Sequence, residues 1–174
     1  MKTLRLICTW QCENDCSGCC NKHEQFSPGK IDCYKDFKEP FDQILITGGE
    51  PMLYIKKMVK LIKMLRIHQR EAQIILYTAQ ISSLVDAIGI LHIIDGMTLT
   101  LHEEADKYEF LLFQQAIRYS SFLTSKSLRL NVFAPIKVSK AQSIHWSVKK
   151  NIKWIPDCPL PYNEVIKQLE KPWK

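Results

Sequence analysis

Three cysteines near the amino terminus are spaced to bind one metal centre. Cys12, Cys16 and Cys19 are separated by three and by two residues, so their thiolates can converge on a single soft metal. The loop is too short to pair its own cysteines comfortably in disulfides. Three sulfur ligands without an obvious fourth suit a [4Fe–4S] cluster in which one iron stays open to a small molecule.

Zinc is the main alternative metal for this loop. Structural zinc sites usually combine two ligand pairs, such as two C-x2-C knuckles. Here Cys16 and Cys19 form one knuckle, and the sequence contains no second one. His23 could complete a site of three cysteines and one histidine, so the residues alone leave zinc open.

A second segment with chemical potential is the turn Ile-Thr-Gly-Gly-Glu-Pro, residues 46–51. Gly48 and Gly49 let the backbone approach a ligand without an intervening side chain. Pro51 suits the first turn of a helix, whose amide groups favour a carboxylate or carbonyl nearby. Glu50 can accept hydrogen bonds from an ammonium group, or it can be a carboxylate that favours the start of the helix.

Together, the cysteine loop and the glycine turn resemble the radical S-adenosylmethionine superfamily. In that family three such cysteines hold a [4Fe–4S] cluster, whose open iron chelates the amino and carboxylate groups of S-adenosylmethionine. The resemblance therefore implies that the metal ligands are Cys12, Cys16 and Cys19. It implies that the cofactor-binding turn consists of Gly48, Gly49, Glu50 and Pro51.

The same resemblance implies an oxidoreductase that uses the cluster to cleave S-adenosylmethionine reductively. The resulting 5′-deoxyadenosyl radical would abstract hydrogen from a protein or a small molecule, and we assign no acid–base pair. The short chain and the run Ser-Gly-Cys-Cys-Asn at residues 17–21 look most like the activating enzyme of anaerobic ribonucleotide reductase. That subgroup implies an electron donor such as flavodoxin or ferredoxin and a glycyl-radical enzyme as substrate. The alternative is a non-catalytic iron–sulfur or zinc module, which would not need the glycine turn.

Length and composition place these segments in one core domain, residues 1–174. The chain is 46% hydrophobic, which is enough for a full core, and it has no apolar run long enough for a membrane span. Seven cysteines without a secretory leader favour a cytoplasmic protein with metal-bound thiolates. The net charge of +6 is explained better by the solvated face of a helix than by nucleic-acid binding.

Six strands that alternate with helices predict an α/β fold with parallel strands, an open partial (β/α)6 barrel like that of the superfamily. We predict strands at 3–8, 43–47, 72–77, 96–101, 128–133 and 152–155. We predict helices at 51–68, 81–91, 106–122, 139–149 and 162–169. Ligands in such folds bind at the carboxyl ends of the strands, so both motifs are expected at one rim.

Other polar residues and cysteines carry weaker expectations. The resemblance implies contacts to ribose and adenine from the later strands, and any of four polar residues near strand ends could supply them: Thr78, Thr100, His102 and Asn131. The remaining cysteines are expected to be free, buried apolar residues and not a second cluster: Cys8, Cys20, Cys33 and Cys158. A side chain at Gly49 is expected to enter cofactor space, and so to weaken cofactor binding while the cluster stays intact.

Overall fold

The computed structural model describes residues 1–14, 16–22, 28–32, 36–37, 39–155 and 159–174. The expectations for His23, Cys33 and Cys158 lie outside the described residues.

The described residues form one parallel sheet of eight strands in the order β2-β8-β1-β3-β4-β5-β6-β7. The strands are β1 Thr3–Thr9, β2 Gly29–Ile31, β3 Gln43–Gly48, β4 Gln73–Thr78, β5 Gly96–Leu101, β6 Ser127–Phe133, β7 Ser147–Ile152 and β8 Glu164–Trp173. The helices are α1 Ile55–His68, α2 Leu84–Ile93 and α3 Glu104–Ile117, with short 3-10 turns at Cys20–Lys22, Pro51–Tyr54, Ser121–Ser125 and Ala141–Ser143. The α/β class and the parallel pairing are therefore confirmed, whereas the count of six strands is wrong.

The main core lies between the sheet and the helices. Alternate residues of β1, including Leu4 and Leu6, are fully buried in one cluster with Leu65 of α1 and with Phe110 and Phe113 of α3. Burying side chains of this size contributes roughly 1.5–3 kcal/mol each. The lysines of α1 remain exposed on its other side, as the solvated-face interpretation of the net charge predicted.

The chain crosses from β1 through β3, β4, β5 and β6 to β7 in one direction across the sheet. Right-handed crossovers that always advance in one direction place their helices on the same face, and the described α-helices all pack into the one core cluster. The opposite face, here called the inner face, therefore carries the alternate set of side chains. By strand register it contains Arg5, Ile7, Leu45, Thr47, Ile75, Tyr77, Thr98, Thr100, Arg129, Asn131, Ser147 and Lys149.

Two predicted helices and one strand are wrong. The segment predicted as a helix at 139–149 makes only a short 3-10 turn and then enters β7, which replaces the strand predicted at 152–155. His145 has a φ of +76°, and a left-handed residue interrupts a right-handed helix. The helix predicted at 162–169 is instead β8, which pairs in parallel with β1. Hydrogen bonding to the edge of β1 outweighs the weak local helix propensity there.

Candidate metal and cofactor site

The cysteine loop begins at the carboxyl end of β1 and is fixed there by β8. The buried hydroxyl of Thr9 donates to the carbonyl of Trp173 at 2.9 Å and accepts from the amide of Gln11 at 3.1 Å. The indole of Trp10 donates to Gln168 Oε1 at 3.1 Å. The two residues that precede Cys12 are therefore held against the adjacent strand.

The glycine turn contacts this same part of the loop. The Gly49 amide donates to Thr9 O and the Glu50 amide donates to Gln11 O, both at 2.7 Å. A Cβ atom on Gly49 would lie 2.0 Å from Gln11 O, and Gly48 has a φ of +128°. Both positions therefore require glycine. A side chain at Gly49 would meet the loop's own backbone first, which argues against the expectation that the cluster would stay intact.

Glu50 connects the glycine turn to the next strand. Its side chain is 1% exposed, and Oε1 accepts hydrogen bonds from Met52 N at 2.9 Å and Thr78 Oγ1 at 2.6 Å, while Oε2 accepts from Ala79 N at 2.9 Å. Burial raises the pKa of the Glu50 carboxyl, and these hydrogen bonds oppose the rise. Glu50 thus caps the helical turn that begins at Pro51, as the helix-start interpretation requires. Its contact with an ammonium group stays a prediction.

The three candidate ligands lie on the loop as free thiols, with Cys12 exposed and Cys16 and Cys19 partly buried. Burial raises the pKa of both Cys12 and Cys16, and nearby thiolates raise it further: Cys19 acts on both, and Cys12 acts on Cys16. Glu50 adds to the effect at Cys12, and Asp106 at the start of α3 adds to it at Cys16. Negative groups that repel one another in this way favour a bound cation.

This donor set fits a thiolate-bound soft metal in its chemistry, since three free cysteines lie on one loop after the carboxyl end of β1. Within the ranges that the structure describes, no three His, Cys, Asp or Glu side chains are gathered as a ready metal site. The cysteine side chains must therefore turn toward one another when a metal binds.

Trp154 is a neighbour of the loop that sequence reasoning missed. A Cβ atom on Gly18 would lie 2.3 Å from Cγ of Trp154, so the indole covers the residue before Cys19. Trp154 also stacks on His102, with ring centroids 5.2 Å apart and an angle of 10° between the ring planes. The ring centroids of Trp154 and Phe133 are 4.6 Å apart. More than a hundred residues separate Gly18 from Trp154 in sequence, and no local motif marks the pair.

Two polar atoms beside the loop are buried without a partner among the described residues: Gln80 Oε1 and His102 Nδ1. Gln80 follows β4, and its side-chain amide donates to Asn14 Oδ1 at 3.3 Å. This hydrogen bond attaches the part of the loop between Cys12 and Cys16 to the segment that follows β4. Burial lowers the pKa of His102, and Asp106 and Glu103 oppose that shift. His102 therefore offers, beside Trp154, a ring nitrogen without a partner in the described part of the chain.

The other predicted contact residues differ in their surroundings. The hydroxyl of Thr78 donates to Glu50 Oε1 at 2.6 Å and accepts from the amide of Gln80 at 3.2 Å. These hydrogen bonds give Thr78 a structural role. Thr100 and Asn131 lie side by side on neighbouring strands and are partly exposed on the inner face. Their contacts with a ribose or adenine stay predictions.

Two of the four remaining cysteines, Cys8 and Cys20, lie in the described residues, and their environments differ. Cys8 is fully buried in the core, as predicted. Cys20 is partly exposed and disulfide-bonded, so the expectation of a free, buried thiol at that position is wrong.

In comparisons with known proteins, the chain matches no family model and no curated protein. Along the described ranges, every helix is too short or too polar to cross a bilayer, which agrees with the expectation from the sequence.

Proposed function

We propose that this protein is a radical S-adenosylmethionine enzyme whose cluster is held by Cys12, Cys16 and Cys19. The observation that carries the proposal is the direct hydrogen bonding between the glycine turn and the start of the cysteine loop. Two motifs that are far apart in sequence form one unit at the carboxyl ends of β1 and β3, where ligands of parallel folds bind.

The arrangement of the sheet and its helices is also consistent with this proposal. A sheet whose strands advance in one direction with helices on one face can form the wall of an open partial barrel, and the inner face would then be its interior. The cysteine loop lies over one end of that interior. A substrate bound on the inner face would then be near the reactive centre and away from bulk water.

The bound cluster and S-adenosylmethionine would supply the reductive cleavage that yields methionine and a 5′-deoxyadenosyl radical. The chain supplies the binding and orientation. The three cysteines provide thiolates, and the backbone of the glycine turn holds the loop that carries them. Trp154 and His102 offer a flat aromatic surface and a ring nitrogen beside Gly18 for an adenine. An electron donor such as flavodoxin or ferredoxin would bring the electron, in the cytoplasm.

A second candidate function is a metal-binding module without catalysis. The surroundings of Glu50 and Gly49 favour this candidate. Contacts within the protein already explain why a glutamate and a glycine are needed at these positions. In that case the glycine turn would only shape the cysteine loop.

The discriminating experiment is anaerobic purification with iron reconstitution, followed by electron paramagnetic resonance of the reduced protein. We expect about four irons per chain and a spectrum that changes when S-adenosylmethionine is added. A Cys8→Ala variant is the control for loss of a cysteine outside the loop. Iron binding with a spectrum that ignores S-adenosylmethionine would support the module and contradict the enzyme.

A further inference from the structure

The inner face changes character from its amino-terminal to its carboxyl-terminal end. In the row nearest the amino-terminal ends of β3 and β4, Leu45 and Ile75 pair with each other and are at most 1% exposed, so this part of the interior is filled. Toward the carboxyl ends, Tyr77 and Thr100 are only partly buried. The interior is therefore closed at the bottom and open and polar below the cysteine loop.

The polar end contains a row of side chains on adjacent strands. Tyr77 pairs with Thr98 across β4 and β5, and Thr98 pairs with Arg129 across β5 and β6. Thr98 is 2% exposed, and its Oγ1 has no hydrogen-bond partner in the described part of the chain. A buried hydroxyl without a partner costs free energy unless a ligand satisfies it.

The next row adds a second cation. Thr100 pairs with Asn131, and Asn131 pairs with Lys149 on β7. Arg129 and Lys149 thus lie on neighbouring strands and the same face, two positions out of register. The spacing between strands and the rise per residue put their backbones about 8 Å apart. Both long side chains can reach one group between them.

These two cations differ from the other arginine of the inner face. The guanidinium of Arg5 is bonded to Glu164 and lies over the ring of Tyr77 at 5.4 Å, so its charge is already compensated. Arg129 and Lys149 are exposed, and neither forms an ion pair with any residue that the structure describes. Lys150, which points to the opposite face, donates instead to Val138 O at 2.8 Å.

From this arrangement we infer that the open end of the inner face binds a small anionic substrate, with Arg129 and Lys149 holding its phosphate or carboxylate group. The hydroxyls of Thr98 and Thr100 and the amide of Asn131 are placed to bind its polar part, and this role would replace the ribose or adenine contacts considered above for Thr100 and Asn131. Because Leu45 and Ile75 fill the row beneath, we expect a small molecule at this site and not a folded partner. As a statement about the substrate, this inference rests on the proposed function, but anion binding itself requires neither cluster nor cofactor.

The test is a nuclear magnetic resonance titration of the full chain with two probes, inorganic pyrophosphate and malonate. We expect saturable shifts of the Asn131 side-chain amide and the Thr100 backbone amide with at least one probe. The affinity should fall as salt increases, because exposed charges are screened. The probe that binds more tightly identifies the phosphate or the carboxylate class.

The variant Arg129→Gln with Lys149→Gln should lose at least tenfold in affinity, and both positions are exposed, so the fold should persist. The matched control Lys63→Gln removes an exposed charge from α1 and should bind like the unmodified chain. Thr98→Val should raise the unfolding midpoint, since it removes an unpartnered hydroxyl, and should weaken probe binding about threefold.

Equal affinity in the double variant, or no saturable shift with either probe, would overturn the inference. Neither result would bear on iron binding. Conversely, anion binding by a chain that fails to bind iron would overturn the proposed function and leave the anion site standing.

Discussion

A Cβ atom on Gly49 would lie 2.0 Å from the carbonyl oxygen of Gln11, the residue that precedes Cys12. The obstacle is backbone on both sides, so neither partner can turn away. We therefore expect Gly49→Ala to displace the cysteine loop, to lower the free energy of unfolding by about 1–3 kcal/mol and to lower the iron content. Iron analysis after reconstitution and urea denaturation measure the two effects.

Gly89 provides the matched control for Gly49. It lies in α2, and a Cβ there would meet no described atom within 4 Å. Gly89→Ala should therefore stabilise the chain by about 0.5–1 kcal/mol with unchanged iron content. If Gly49→Ala behaved like Gly89→Ala, the contact between the turn and the loop would not position the cysteines.

The cysteines should separate into ligands and non-ligands. Cys12→Ala, Cys16→Ala and Cys19→Ala should each abolish the brown colour of the anaerobically reconstituted protein. Cys8→Ala should keep it at a cost of about 1 kcal/mol, the usual cost of a small core cavity. The measurement is the visible absorption and the iron per chain. A coloured Cys16→Ala variant beside a colourless Cys8→Ala variant would contradict the assignment.

The contact between Gly18 and Trp154 predicts a coupled pair of substitutions. Gly18→Ala should cost about 1–3 kcal/mol, because the new methyl group would overlap the indole. In a Trp154→Ala background the same change should be nearly neutral, since the obstacle is gone. A double-mutant cycle by urea denaturation measures the coupling. Additive effects would mean that Trp154 does not lie on the loop in solution.

Glu50 should give a pH-dependent difference between the unmodified chain and Glu50→Gln. Burial raises the pKa of the carboxyl in the folded state above its unfolded value of about 4.3. Its contribution to stability is therefore complete below that value and is lost as the pH rises toward the folded pKa. The stability advantage over Glu50→Gln should thus be larger at pH 5 than at pH 8. Urea titrations at both values test this, and an advantage that grows with pH would mean that the hydrogen bonds outweigh burial.

The central strands could be predicted from the sequence because they are buried on both sides. Runs such as Ile74 to Leu76 are continuous and apolar, and strong local patterns of this kind define β3, β4 and β5 within a residue or two. The strand near the end of the chain could not be predicted in this way. β8 has no regular alternation of polar and apolar residues, and it becomes a strand because β1 offers it a free edge, which is a tertiary effect invisible in a local window.

In the candidate site, too, local motifs could be predicted from the sequence and tertiary contacts could not. The two motifs were found from residue spacing, and the structure places them in contact. Gln80 and Trp154 could not be found, since each reaches the loop through the fold and neither belongs to a recognisable pattern. The contact of Gly49 with Gln11 could not be found either, because sequence shows that a glycine is needed but not which atoms lie against it.

The most direct test of the proposed function is product formation by the reconstituted protein. The protein is reduced with dithionite under anaerobic conditions and incubated with S-adenosylmethionine, and 5′-deoxyadenosine and methionine are measured by liquid chromatography. We expect both products in equal amounts from the unmodified chain and neither from Cys16→Ala. A colourless protein that holds about one zinc ion per chain, or an iron protein that forms no 5′-deoxyadenosine, would contradict the proposal.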